Sequence, residues 1–359
     1  MRIAVLSSRF PPVYAGGAET AAYNLSKNLA SQGHDVHVVT RRQESTANDG
    51  FMVHQVRHIS RPQRMRYLTT VFFMARETVR IRPDVIYCQT LYSESLAGII
   101  AGRILGVPVV TRSVGEIYVT SSFFDRLVMK FVIRKSSLVL ALTGHMEREV
   151  RKIFRKARVG VLPEGVDYDF FRNYPERGRS PNTVLFVGRL MHLKCVDCLL
   201  KAFSIVQKEI PGAGLNILGD GEQAGELKSL ARDLGLKNAN FMGSVGRDEV
   251  ARQMKSSSIF VLPSISEGFP LVIPEAMVSG LPVITTRVRG LPEILKDGVN
   301  GYLVAPKEPE ELAERIIYML RHREVMEKMR RSNISEAGKY RWETVSLDLA
   351  RHLEGLIKR

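Results

Sequence analysis

The sequence predicts an α/β chain of two doubly wound domains, each a parallel sheet covered by helices on both faces. Three observations carry that prediction. Short apolar runs alternate with segments of helical spacing along the whole chain, the rhythm of repeated βα units. That rhythm breaks at Tyr174–Asn182 (YPERGRSPN), a stretch rich in proline, glycine and charge that suits an interdomain linker, and then restarts. The 359 residues are enough for two domains of common size.

In the first half, Arg2–Ser7 is an apolar run that ends in the polar loop SSRFPPVYAGGAE. Ala21, Ala22, Leu25 and Leu29 then fall on one face of a helix over Ala18–Gln32, with Gly33 at its C-cap. Strands follow at Asp35–Thr40 and Gly50–Arg57. Arg66–Arg82 is helical and basic, with Leu68, Val71, Phe72, Ala75 and Val79 on one side. Asp84–Tyr87, Val107–Thr111, Leu138–Leu142 and Arg158–Leu162 read as further strands, separated by helices near Ser93–Leu105, Ser122–Lys135 and His145–Phe154.

After the break, strands recur at Thr183–Val187, Leu215–Leu218, Asn240–Met242, Ile259–Leu262 and Val283–Thr285. Helices lie between them, further helices run from Glu308 onward, and the last, Trp342–Lys358, is amphipathic. The expected organisation is a first domain over 1–173, a linker over 174–182, a second domain over 183–338 and a closing helix within 339–359.

Composition is that of a globular protein, 45% hydrophobic and 25% charged. No apolar run approaches the roughly 20 residues that span a bilayer. MRIAVLSSRF enters a strand directly, without a secretory h-region, so the expectation is a cytoplasmic protein. Cys88, Cys195 and Cys198 make no disulfide framework. The CxxC pair Cys195/Cys198 lacks the two further ligands that zinc needs; it reads either as a redox pair or as two thiols near a helix start. The net charge of +15 is uneven: residues 1–175 carry 25 Lys+Arg against 14 Asp+Glu, the remainder 27 against 23. An excess in the first half suggests an anionic partner there, whether membrane lipid, an anionic acceptor or nucleic acid; general solubility is the plainer account.

The chemistry concentrates after the fourth strand of the second half, in PSISEGFPLVIPEAMVSG (Pro263–Gly280). Proline is tolerated in the first turn of a helix, so a helix is expected to begin near Ile273 or Pro274. Glu267 then lies in the loop and Glu275 in the first turn; loop carboxylate, backbone N–H groups and helix N-terminus together suit an anion and neighbouring hydroxyls. At the end of the domain's first strand, V-G-R-L-x-x-x-K places Arg189 and Lys194, a forked and a compact cation. Leu218-Gly219-Asp220-Gly221-Glu222 follows the next strand, a fragment of a dinucleotide fingerprint without its full spacing. In the first half, Gly16 and Gly17 sit between a strand and a helix, where adjacent glycines admit a ligand close to the backbone.

E-G-F-P-L-V-x-x-E-A-M-x-x-G-x-P-V-I, from Glu267 to Ile284, resembles the donor-site signature of the retaining, nucleotide-sugar-dependent glycosyltransferases of family 4. P-P-x-x-x-G-G-A-E around Gly16 and Gly17 matches that family's N-terminal loop, and the Arg189/Lys194 pair matches its basic pair. The resemblance implies the GT-B fold, two Rossmann-like domains facing each other across a cleft, the first on the acceptor side and the second binding the nucleotide-sugar donor, with the C-terminal helix crossing back to the first domain. It implies transfer of a sugar from a UDP- or GDP-sugar such as GDP-mannose to a sugar or lipid-linked acceptor, with no metal and no cofactor beyond the co-substrate. Arg189 and Lys194 would stabilise the departing diphosphate, and Glu267 would face the transferred sugar. The loop Gly268-Phe269-Pro270-Leu271 would surround sugar and diphosphate, with the main-chain N–H groups available from Phe269 to Leu271 around them, and Glu275 would hold the ribose. Gly219 and Gly221 would lie near the nucleotide, and Phe241-Met242-Gly243 would meet the base through its backbone.

Three departures qualify the match. Cys195 replaces a glycine after the family's Lys, and Glu164 replaces Asn in Leu162–Asp167 (LPEGVD). Val114 stands where many relatives carry a histidine beside the donor sugar, with Arg112 or Glu116 as candidate substitutes. Separately, Asp167-Tyr168-Asp169 looks like a D-x-D metal motif, but it lies outside the expected donor site and is not read as one. Two other readings compete: a nucleotide-sugar epimerase on the same fold, and a basic nucleic-acid-binding protein, for which no recognised motif appears. Finally, Arg66–Arg82 and Phe123–Lys135 each set apolar residues beside Arg or Lys. Either both apolar faces pack on the domain's own sheet, or the helices rest on an anionic membrane and make the protein peripheral to the inner leaflet.

Overall fold

Runs of Val, Ile, Leu and Phe too short for helices become buried parallel strands, and the segments of helical period pack across them. The computed structural model describes all residues except 12–16, 42–48, 58–62, 114–122, 177, 179 and 359, and the side chains of 63 and 64. Among the described residues the strands are β1 (Arg2–Leu6), β2 (Asp35–Arg41), β3 (Met52–Val56), β4 (Val85–Cys88), β5 (Val109–Ser113), β6 (Leu138–Ala141), β7 (Val159–Val161), β8 (Thr183–Val187), β9 (Gly214–Leu218), β10 (Ala239–Gly243), β11 (Ile259–Leu262), β12 (Val283–Thr286) and β13 (Gly301–Val304). The helices are α1 (Gly17–Ser31), α2 (Gln63–Ile81), α3 (Ser93–Leu105), α4 (Phe123–Lys135), α5 (Gly144–Ile153), α6 (Tyr168–Asn173), α7 (Val196–Glu209), α8 (Ala224–Asp233), α9 (Arg247–Ser256), α10 (Val272–Val278), α11 (Leu291–Ile294), α12 (Pro309–Arg321), α13 (Arg323–Glu336) and α14 (Trp342–Ile357).

The chain forms two compact units, Met1–Gly165 with Trp342–Arg359, and Val166–Arg341. The first holds a parallel sheet in the order β3-β2-β1-β4-β5-β6-β7, the second one in the order β10-β9-β8-β11-β12-β13. In each, the chain steps outward from its first strand on one side and then returns to build the other. The topological switch points therefore lie between β1 and β4 and between β8 and β11, where doubly wound sheets open a crevice at their carboxyl ends.

Alternation along β1 divides the first core. Ile3 and Val5 pack with Ala21, Leu25 and Leu29 of α1 and with Leu349 and Leu353 of α14. Ala4 and Leu6 pack with Val71 and Met74 of α2 and Ala97 and Ala101 of α3. The final helix is thus built into the first unit against α1, where Gln32 also donates to the Ser346 hydroxyl at 2.7 Å.

Several boundaries differ from the sequence expectation. The passage between units falls at Gly165/Val166. The described part of 174–182 is tied to the second unit, since the Ser180 N–H donates to the Ser256 carbonyl at 2.7 Å and the Ser258 hydroxyl to the Ser180 carbonyl at 3.0 Å. β13 is an additional edge strand: a four-residue run that opens on glycine and leaves Tyr302 half-exposed shows too little period to stand out. The helix expected from Ile273 or Pro274 starts at Val272, with Leu271 as its cap residue.

Candidate active site

The carboxyl ends of β8 and β11, flanking the second switch point, gather most of the predicted residues. β8 ends at Val187, and Gly188-Arg189-Leu190 turns out over the end of β9. The Gly188 N–H donates to the Leu218 carbonyl and the Leu190 N–H to that of Asp220, both at 2.9 Å. This contact explains both glycines of the following loop. A Cβ on Gly219, whose φ is +138°, would stand 1.9 Å from the Gly188 carbonyl oxygen, and one on Gly221 would stand 2.3 Å from that of Leu190. The two loops meet backbone to backbone, which no larger residue allows.

Arg189 projects from this turn with a side chain 73% exposed, its nearest described acid being Glu222 at 4.0 Å. Lys194, a short helical turn later, is held: its Nζ lies 2.5 Å from Glu267 Oε1, and the lysine side chain is only 19% exposed. Ser264 Oγ donates to the same Glu267 oxygen at 2.6 Å. The Ile265 N–H donates to the Leu193 carbonyl at 2.9 Å, joining the β11 loop to the β8 loop, and Thr286 donates to the Ser264 carbonyl. Lysine, carboxylate and serine thus form one fixed cluster. Cys195, which closes the short turn and opens α7, has φ +50°. That left-handed conformation accounts for the glycine preference at this position.

Gly268, Phe269, Pro270 and Leu271 lead from Glu267 into α10. The Phe269 ring packs edge-on against Tyr340 at 5.7 Å. Among the described residues, the N–H groups of Phe269 and Leu271 donate to no other main-chain group, whereas that of Ile273 reaches the Pro270 carbonyl. Glu275, in the first turn of α10, is largely enclosed, and burial pushes its carboxyl up to about 7 while the Arg247 guanidinium pulls it back. Arg247 stacks 4.0 Å over the Phe170 ring and pairs with Asp167 at 2.8 Å. Met242 lies on β10 at a register irregularity, half-exposed.

In the first unit, Gly17 opens α1 and is exposed, while Gly16, Val114 and Glu116 lie outside the described residues. Arg112 does not serve as a substitute for the absent histidine. It is 0% exposed, donates from Nη2 to the Pro163 carbonyl at 2.9 Å and pairs through Nη1 with Glu164 Oε1 at 3.5 Å. Its neighbour in that pair is one of the other departures from the family pattern, Glu164, which burial pushes up and Arg112 pulls down. Asp167 caps α6 by accepting from the Phe170 N–H at 3.3 Å, and Asp169 pairs with Arg341 at 3.4 Å.

Sequence reasoning missed Ser264, Glu222 and Arg247. Only Ser264 left a signal, the Ser-x-x-Glu spacing that lets a loop hydroxyl reach back to Glu267.

Comparison with known proteins identifies the family and the fold. The family described as Glycosyltransferase Family 4 matches residues 15–170, and that described as Glycosyl transferases group 1 matches residues 167–337. An uncharacterized glycosyltransferase of Methanocaldococcus jannaschii is 29% identical over 96% of both chains. The sulfoquinovosyl transferase of Arabidopsis thaliana is 27% identical over 96% of this chain and 72% of its own. Among solved structures, Anabaena HepE in complex with UDP-glucose superimposes with a TM-score of 0.78 at 21% identity, covering 99% of this chain and 100% of its own. The chain belongs to the group 1, family 4 glycosyltransferases and has their two-domain GT-B fold.

Proposed function

We propose that the protein transfers a sugar from a nucleoside-diphosphate sugar, without a metal ion and with retention of anomeric configuration, to a lipid-linked acceptor at an anionic membrane. The observation that carries this reading is the Lys194–Glu267–Ser264 cluster beside Arg189 at the second switch point. As the glycosidic C–O bond breaks, negative charge grows on the diphosphate. A pre-positioned lysine and an arginine fork meet that charge without solvent reorganisation. Glu267 carries the lysine and serine on one oxygen, which blunts it as a nucleophile and suits it to orienting sugar hydroxyls. Attack then comes from the acceptor hydroxyl on the face the diphosphate leaves, through an oxocarbenium-like state. The hydroxyl proton passes to the departing phosphate oxygen.

Glu275 is the candidate ribose ligand, and the main-chain N–H groups of Phe269 and Leu271 support the placement of a sugar or phosphate beside Glu267. Gly219 and Gly221 act here by seating the Arg189 loop, and Met242 supplies backbone near the base. Because the Anabaena relative is complexed with UDP-glucose, a UDP-sugar is the first donor to test, followed by GDP-mannose.

The membrane reading rests on helices with two apolar sides. Val71 and Met74 of α2 and Val128, Met129 and Val132 of α4 are buried in the core. Yet Leu68 (62%), Phe72 (60%), Phe123 (76%) and Phe124 (57%) of the same helices are exposed. Lys130, Arg134 and Lys135 border them, the composition of an interfacial surface on anionic lipid. Among the described residues no helix is long and apolar enough to cross a membrane.

The test is transfer from a set of UDP- and GDP-sugars to polyprenyl-diphosphate-linked and diacylglycerol acceptors in EDTA, with the product's anomeric proton read by NMR. A product with the donor's configuration is expected. An inverted product, or an epimerised donor with no transfer, would refute the reading.

A further inference from the structure

Away from the candidate active site, four ionisable side chains form an unbroken series in the first unit. Asp35 and His37 lie on β2, His54 on the edge strand β3, and Glu77 on α2. His37 Nε2 faces Asp35 Oδ1 at 3.1 Å, His37 Nδ1 lies 2.9 Å from His54 Nε2, and His54 Nδ1 lies 3.1 Å from Glu77 Oε1. The two rings stack with centroids 5.1 Å apart. Both ends are anchored. Arg2 of β1 donates from Nε to Asp35 Oδ2 at 2.7 Å, and Arg80 of α2 pairs through Nη1 with Glu77 Oε2 at 3.5 Å. Arg2, Asp35, Glu77 and Arg80 are thus the charged groups that meet the histidine pair, directly or through a carboxylate.

This geometry fixes a proton count. A ring nitrogen that faces a carboxylate oxygen or another ring nitrogen at such a distance needs one proton on the contact, since two lone pairs repel. Three contacts in series therefore hold three protons. Two neutral imidazoles between two carboxylates bring two, so the series carries one more. A fourth proton sets N–H against N–H across the 2.9 Å gap between the rings. Loss of the third sets lone pair against lone pair. Burial disfavours charge on the His37 ring and pushes that group down, against the pull of Asp35. The extra proton then sits on His54, the more exposed ring of the two, beside Glu77.

We propose that this series is a proton-dependent latch that ties α2 to the β2/β3 edge of the sheet and is whole only while it holds a single shared proton. Val71, Met74 and Ala75 of α2 already share an apolar core with Val39 of β2 and Val56 of β3, and the latch adds a polar tie on the same face. The same helix presents Leu68 and Phe72 outward, so the latch governs how firmly that exposed surface is held. Free imidazoles change charge near pH 6.5, or about that value. Above it an unfolded chain keeps neither proton while the latch keeps one, so its contribution to stability is lost as pH rises through the pair's upper step. Below it an unfolded chain takes up two while the latch accepts one, so the contribution falls again in acid. It is greatest near about pH 6.5. None of this depends on the donor assignment of the second unit.

The test is nitrogen-15 NMR of the histidine rings of the full chain from about pH 5 to about pH 9, with amide hydrogen exchange of α2 followed over the same range and corrected for intrinsic rates. At pH 7, three of the four ring nitrogens of His37 and His54 should carry protons. Opening of α2 should be at least threefold more frequent at either end of the range than at its middle. His54→Gln, shown by a thermal melt to be folded, should lose that pH dependence, because an amide neither gains nor releases the shared proton. Two neutral rings at pH 7 would overturn the proposal. So would α2 exchange that is flat with pH in wild type, or that keeps its pH dependence in the folded variant. If the variant does not fold, the wild-type proton count and exchange profile decide by the same criteria.

Discussion

The two domains share a topology and differ in what they place at its switch point. In the second, a lysine is locked by a carboxylate and a serine, and adjoining loops meet at glycine with no side chain between them. In the first, the described lining of the crevice includes Arg9, Arg41 and Arg66 together with a buried carboxylate, Glu94, that accepts from its own loops at Ser8, Ser93 and Thr90. Their surfaces diverge as well. α2 and α4 of the first domain carry exposed Leu and Phe, whereas the exposed large apolar residues of the second, such as Leu193, Val299 and Tyr318, are scattered singly. The fold sets where a ligand goes. Side chains then set how charged and how rigid each crevice is.

The largest expected effect tests the stability of the first domain. Arg112 and Glu164 are both buried, so Arg112→Leu leaves an uncompensated carboxyl and should cost about 3–5 kcal/mol in denaturant unfolding. The double variant Arg112→Leu/Glu164→Leu should recover most of that loss. A single variant that melts like wild type would mean that the pair is not buried as described.

Next in size is the fixed charge of the second domain. Lys194→Ala should lower kcat by about 10²- to 10³-fold, roughly 3 kcal/mol of transition-state stabilisation, measured on protein that a thermal melt shows to be folded. Arg189→Ala should produce a similar loss of turnover. Near-normal turnover in both would remove the distinction drawn between the domains.

A third expectation concerns pH. Burial raises the Glu275 carboxyl to about 7, so it is neutral at lower pH and accepts ribose hydroxyls as a carboxylate only above that value. Donor affinity should therefore fall as pH drops through 7, and Glu275→Gln should flatten the dependence. The stability linkage runs the opposite way. A carboxyl whose pKa is raised on folding costs stability above its unfolded value of about 4.3, increasingly up to the folded one. Glu275→Gln should thus raise the melting temperature at pH 8 and leave it unchanged at pH 4. Equal gains at both pH values would contradict the assigned burial.

The smallest effects belong to the membrane surface. Each of Lys130→Gln and Lys135→Gln should weaken binding to anionic vesicles by about 1 kcal/mol, and Phe123→Ser should add to the loss. Vesicle binding that is insensitive to all three would assign those side chains to solvent alone.

Much of this was legible because strand and helix periods are strong in a doubly wound fold. Runs such as Ile259–Leu262 and Leu138–Leu142 needed only burial to become strands. The local structure around Glu267 was equally readable, since Pro274 announced a helix start within two residues of where α10 begins. What escaped the sequence was pairing in space. Nothing in Thr111-Arg112-Ser113 says that the arginine points into the core, against the usual exposure of its type. Nothing local joins it to Glu164. Lys194 and Glu267 lie on separate loops, and their contact depends on β8 and β11 being neighbours. The left-handed backbone at Cys195 was likewise hidden, because the sequence shows only that a small residue stands there. Edge strand β13 was too short to display a period, and the outward apolar side of α2 could not be told from its inward one by spacing alone.

The most direct test of the central claim, that the β8/β11 switch point binds the diphosphate of a nucleotide sugar with protein cations alone, is calorimetric titration of UDP and GDP in EDTA. The account predicts that wild type binds at least one of them without metal and that Lys194→Ala weakens that binding tenfold or more. Absence of binding to wild type, or binding that appears only on adding magnesium or manganese, would contradict it.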